Sequence, residues 1–249
     1  MKILVIGTSI FTLPPSGYSG LEFLVWQWAC AFARAGHQVS VVAPTGSTFP
    51  PELNIELIAT DLGEGEDVSW GRYKDRLARG DWDCCVDHSW LWMSVLSQME
   101  SDHQLPIIHC YHSDPNNLGL PPPIAKPCLV AFSEAQANII RKKWSCAVNV
   151  VLHGIDTAFY KPDPNIRRGD RYLFLARYTP EKGFLEIAYL AKKCRVPLDA
   201  FGDTFIIGSD AYMQKCFAEN DGRQIKVAPG ITREQTVKEY SGHKALITW

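Results

Sequence analysis

The sequence predicts an α/β protein made of two doubly wound, Rossmann-like parallel-sheet domains. Three observations predict it. Short apolar runs of buried-strand type alternate with segments whose apolar residues recur at helical spacing, almost from end to end. A polar, proline-bearing stretch at 156–170, ending in NIRRGD, interrupts that alternation. Beyond it the alternation begins afresh.

The first unit reads as a strand at 2–6, a long loop, a helix at 21–35, a stop at Gly36 and a strand at 38–43, which is the βαβ pattern of a parallel sheet. Further strands are expected at 55–58, 84–86, 107–110, 129–132 and 149–152, with helices near 73–78, 91–100 and 134–144. Residues 1–155 thus form the first domain and 156–170 a linker. The second domain, 171–249, is expected to carry strands at 172–176, 198–201, 224–227 and 245–249, with helices at 184–194, 210–219 and 232–240. Four strands are few for an open sheet of this class, so the domain reads as incomplete. Its last strand, ALITW, would leave an apolar edge open to self-association or to cover by a partner.

A net charge of −2 argues against a nucleic-acid partner. The eight cysteines are scattered, with no C-x-x-C pair, so neither a zinc site nor a disulfide framework is indicated and reduced cytoplasmic thiols fit best. MKILVIG has too short an apolar run for a signal peptide, and 21–35 is broken by Glu22, Gln27 and Arg34. Arg141, Lys142, Lys143 and Trp144 offer either a peripheral membrane contact or an ordinary solvated helix end.

The most informative stretch is RYTPEKG, from Arg177 to Gly183, between the apolar run YLFLA and a helical segment. It sets Arg177 and Lys182 beside the free N–H groups of a helix start, an arrangement suited to a diphosphate; the alternative is two surface charges at a strand end. In the first domain the loop 8–19 is long, and Gly17 and Gly20 bracket the next helix, where glycine admits a ligand close to the backbone. The spacing matches neither G-x-G-x-x-G nor a P-loop. His88 and His112 are expected on the carboxyl rim of the sheet, where ligands collect in this fold class. His109 reads as a core histidine, offset by three from His112 and so facing the other way on a strand. Trp90 and Trp92 read as core aromatics, or as a stacking surface for a sugar ring. No carboxylate pair stands out as acid and base, and no metal cluster is indicated.

Taken in order, PPSGYSG-LE, AGHQVSVVAP, DHSW, PIIHCYH, FSEAQ, LHGIDTAFYKP and YLFLARYTPEKG resemble glycosyltransferase family 4 over nearly the whole chain. The resemblance implies the GT-B architecture, two facing Rossmann-like domains. It implies transfer of a sugar from a nucleotide-diphosphate sugar to an acceptor, with retention and without a bound metal or other cofactor. Arg177 and Lys182 then look like the donor-diphosphate pair, Gly17 and Gly20 like the glycine-rich loop, and His112 like the strand-end histidine near the donor sugar. His153 stands where the family usually has asparagine. The family's Glu-(seven residues)-Glu segment would follow ALITW, so the chain is expected to lack part of its donor site. Two other functions remain open: sugar-nucleotide epimerisation on the same scaffold, and non-catalytic nucleotide-sugar binding.

Overall fold

The computed structural model describes residues 1–17, 19–94, 105–117, 128–202 and 210–249. The chain divides into two compact units, Met1–Pro15 with Ser19–Gly154, and Ser16–Tyr18 with Ile155–Trp249.

In the first unit the apolar runs become β1 (Lys2–Ile6), β2 (Gln38–Pro44), β3 (Glu56–Thr60), β4 (Cys84–Asp87), β5 (Ile107–Cys110), β6 (Cys128–Ala131) and β7 (Val148–Val150). They form one seven-stranded parallel sheet in the order β3-β2-β1-β4-β5-β6-β7. Each described pairing is parallel, as in β1, where Ile3 lies between Val39 and Cys84. Alternation along β1 builds two cores. Ile3 and Val5 pack with Val25 and Ala29 of the helix Gly20–Arg34, while Leu4 and Ile6 pack with Tyr73, Leu77 and Trp82 on the other face.

The helix Gly20–Arg34 is capped by Ser19, whose hydroxyl accepts from the Glu22 N–H, and Gly36 turns the chain out at φ 86. The helix Glu134–Trp144 is capped likewise by Ser133, and its Ala137 and Ile140 pack on Leu129, Ala131 and Val148. The helix expected over 91–100 falls mostly outside the described residues. The short helix Glu66–Trp70 has no apolar periodicity to announce it; Gly65 and two acids in its first turn set its start.

The second unit has β8 (Tyr172–Leu175), β9 (Leu198–Phe201), β10 (Ile225–Ala228) and β11 (Ala245–Leu246) in the parallel order β10-β9-β8-β11. Phe174, Leu198, Ala200, Ile225 and Val227 from the sheet meet Phe184, Ile187, Ala188 and Ala191 of the helix Phe184–Cys194. Across the amino ends of the strands, Arg171 binds Asp199 at 2.7 Å, and His243 meets the same carboxylate at 3.0 Å.

The segment 156–170 groups with the second unit, where the Asp163 N–H donates to the Ser241 hydroxyl at 3.1 Å and the Gly169 N–H to the Gly242 carbonyl at 2.7 Å. Polar composition signalled solvent exposure, which is met, but not these backbone donors, which need acceptors. The last strand is shorter than its apolar content suggests. Only Ala245–Leu246 pairs with β8, both residues exposed, and Trp249 turns its ring onto Gly183.

Candidate functional site

Histidines gather at the carboxyl ends of β4 and β5. His88 directly follows β4 and is fully buried; His112 lies two residues past β5 and is half-buried. His88 Nδ1 and His112 Nε2 are 2.9 Å apart, a hydrogen bond. The His112 ring also stacks on Phe132 at 4.6 Å, and Phe132 in turn stacks on His153 at 4.1 Å. Trp28 closes on His88 edge-to-face at 5.2 Å, and the exposed Trp90 lies 6.5 Å from His112.

Burial lowers the His88 pKa to about 3. Burial, reinforced by His88, His153 and His109, lowers His112 to about 2. Both rings are neutral at physiological pH, so His112 offers hydrogen bonding and not a cation. The expectation that His88 lines the rim is corrected: the strand end does carry it there, but Trp28 and His112 cover it.

His109, within β5, is 2 % exposed, as expected for a core residue. The Trp92 ring lies 3.7 Å from it, and its Nδ1 is 3.9 Å from Asp87, an ion-pair distance rather than a hydrogen bond. Burial would raise the Asp87 pKa, but His109, Ser89 and Ser94 outweigh it and hold the carboxyl at about 2. Trp92 is therefore core, packed on His109, Tyr111 and Trp144.

Sequence reasoning missed the residues that brace this cluster. Gln136 Nε2 donates to the carbonyls of Tyr111 and Ser113, on either side of His112, while its Oε1 accepts from the Phe132 N–H. The signal was present in FSEAQ, where Ser133 and Gln136 have capping-box spacing. Glu66 holds the chain after β4 by accepting from the N–H groups of Trp90, at 2.8 Å, and Leu91, at 2.6 Å. Glu22 is 3 % exposed, accepts from the hydroxyls of Thr8 and Ser19, and has its pKa raised by burial.

In the second unit Arg177 lies two residues past β8, its side chain 15 % exposed, and its guanidinium donates to Glu181 at 3.2 Å. The Thr179 hydroxyl donates to the same carboxylate at 2.6 Å and is the main cause of its lowered pKa. A 3₁₀ turn, Pro180–Lys182, precedes Gly183, which caps the helix Phe184–Cys194 at φ 63. The two expected fixed cations therefore differ: Arg177 is held by Glu181, whereas Lys182 is exposed.

Gly17 and Gly20 fall on different sides of the division, Gly17 with the second unit and Gly20 opening the helix of the first. A Cβ at either would meet nothing within 4 Å, and neither has positive φ. At the C-terminal end of the helix Glu134–Trp144, Arg141 donates to the Val148 carbonyl at 2.7 Å and Trp144 packs on Trp92 and Tyr111. The aromatic offered for membrane contact is thus turned inward. Among the described residues no group of three or more His, Cys, Asp or Glu side chains is placed to hold a metal, and no helix is long and apolar enough to cross a membrane.

A sequence profile described as Glycosyltransferase Family 4 matches residues 18–159, more than half of the chain. The chain belongs to glycosyltransferase family 4. No curated protein matches it. Among solved structures it is similar to AviGT4, a glycosyltransferase involved in avilamycin A biosynthesis, with 20% identity and a TM-score of 0.68 over 99% of this chain and 68% of that one. The sucrose-phosphate synthase of Thermosynechococcus elongatus superposes with a TM-score of 0.75 at 13% identity, over 99% of this chain and 74% of its own. UDP-N-acetylglucosamine 2-epimerase from Rickettsia bellii matches with a TM-score of 0.54 at 11% identity, over 99% of this chain and 73% of that one. These likenesses carry the fold: this family 4 chain has the GT-B architecture of two parallel-sheet units, the second with four strands among the described residues.

Proposed function

We propose that the chain is a retaining glycosyltransferase that moves a sugar from a nucleotide-diphosphate donor to an acceptor. The observation that carries the reading is the turn after β8, where Arg177 is bonded to Glu181 and Lys182 directly precedes Gly183, the cap of the next helix. In the reading, Arg177 and Lys182 neutralise the departing diphosphate, a task metal ions perform in other transferases, so no metal is required. Gly17 and Gly20 let the donor phosphates approach the backbone. His112, uncharged, contacts the transferring sugar. Family membership supports the reaction class.

The test is turnover of radiolabelled UDP-, GDP- and ADP-sugars by the purified chain against an acceptor panel, with and without EDTA. Labelled glycoside with the donor's anomeric configuration is the expected product. An epimerised nucleotide sugar, or binding without turnover by any donor, would replace this reading by one of its two alternatives.

A further inference from the structure

We infer that His88 is a positioning residue: its Nδ1–H donates to His112 Nε2 and so leaves the proton of the His112 ring on Nδ1, as a hydrogen-bond donor. The inference deepens the proposed function and rests on the reading of His112 as a contact to the transferring sugar.

The two rings share one hydrogen across 2.9 Å, and two arrangements satisfy that bond. If His112 Nε2–H donated, a neutral His88 would carry its own proton on Nε2. That atom is buried and has no hydrogen-bond partner among the described residues. If His88 Nδ1–H donates, the same buried atom is a bare lone pair. An orphaned buried N–H is the rarer defect, which favours the second arrangement.

The surroundings fix both rings in place. The His88 backbone N–H donates to the Ile6 carbonyl at 2.9 Å, and Trp28 packs edge-to-face on the His88 ring. Gln136 binds the carbonyls flanking His112, and Phe132 stacks on the ring. His112 Nδ1–H is then a neutral donor held ready for an oxygen lone pair, the chemistry of a sugar hydroxyl. The second histidine selects which of the two nitrogens carries the proton.

The experiment is ¹⁵N-histidine NMR on the whole chain, with the His112 resonances assigned from His112→Gln, alongside transfer kinetics. His112 should show a protonated Nδ1 and an unprotonated Nε2. His88→Leu should move the proton to Nε2, the form free imidazole favours, while His88→Asn, whose amide still donates, should keep it on Nδ1. With an active donor the Leu variant should lose about tenfold in kcat, the scale of one lost hydrogen bond, and leave nucleotide-diphosphate affinity unchanged, while the Asn variant recovers most of the rate. A wild-type His112 protonated on Nε2 overturns the inference, as does a Leu variant with a moved proton and an undiminished kcat. If the wild-type transfers nothing, the proposed function fails, yet the spectrum still decides the tautomer. Should the Leu variant not fold, the wild-type and Asn spectra decide it.

Discussion

Glu181 holds Arg177: one carboxylate, itself bonded by the Thr179 hydroxyl, orients the guanidinium at 3.2 Å in the turn after β8. An arginine already fixed loses little further freedom on binding an anion, whereas exposed Lys182 must be ordered. Each charge-assisted contact is worth about 1.5–3 kcal/mol, so Arg177→Ala with Lys182→Ala should lose roughly two to four orders of magnitude in nucleotide-diphosphate affinity. Arg177→Ala should account for the larger share. Titration calorimetry with UDP, GDP and ADP measures it, and undiminished affinity for the preferred nucleotide in the double variant would remove the diphosphate site.

Glycines separate steric need from ligand need. At Gly202 a Cβ would stand 2.0 Å from the Ala176 carbonyl oxygen, and backbone cannot yield as a side-chain tip can. Gly202→Ala should therefore destabilise the second unit by about 1–3 kcal/mol, the usual cost of overpacking. Gly17→Ala and Gly20→Ala face open space, and should leave the melting temperature unchanged while weakening donor binding. Equal donor affinity in those two variants would show that no donor group approaches the backbone there.

Most of the sheet was legible because its strands are buried on both faces and read as apolar runs, and because Gly36 marks a helix stop that the backbone obeys. Strand ends also set the histidines: the parity of β5 sends His109 into the core, and two residues past its end place His112 at the rim. What periodicity could not show is pairing between distant polar groups. That His88 would meet His112 depends on β4 and β5 being neighbours, which is topology rather than pattern. Spacing in RYTPEKG brought out Arg177 and Lys182 but not that Glu181, four residues on, is bonded to Arg177. Trp249 looked like the end of a strand but turns onto Gly183, where the absence of a side chain leaves room for its ring.

The histidine pair should make the protein acid-sensitive. In the unfolded chain a histidine titrates near 6.5, whereas folded His88 and His112 stay neutral down to about 3 and about 2. Between those values the unfolded chain binds more protons, so stability is full above 6.5 and is lost as pH falls. From pH 7.5 to 5.5 each ring should remove on the order of 1 kcal/mol. Buried Glu22 and Glu66, whose pKa values are raised by burial, act in the opposite sense. Denaturant melts at the two pH values give the slope, and His88→Leu should flatten it. A slope equal in wild-type and variant would mean that His88 does not stay neutral in the fold.

His109 and His112 are offset by three positions, and their replacement should have opposite consequences. His109 is 2 % exposed beneath Trp92 and 3.9 Å from the buried Asp87 carboxylate. His109→Ala leaves a cavity under an aromatic ring and takes a compensating group from a buried charge, and should cost about 2–4 kcal/mol of stability. His112 is half-buried, and its ring bonds His88 through Nε2 alone among the described residues. His112→Ala should cost less stability. If His112 meets the reacting sugar, kcat should fall while nucleotide-diphosphate affinity stays the same, because the lost contact is made to the sugar and not to the diphosphate. Melting curves and steady-state kinetics on the two variants separate the roles. A His112→Ala enzyme with wild-type kcat, or one whose loss appears wholly as weakened nucleotide binding, would move His112 out of the sugar site and leave it a packing residue of the histidine cluster.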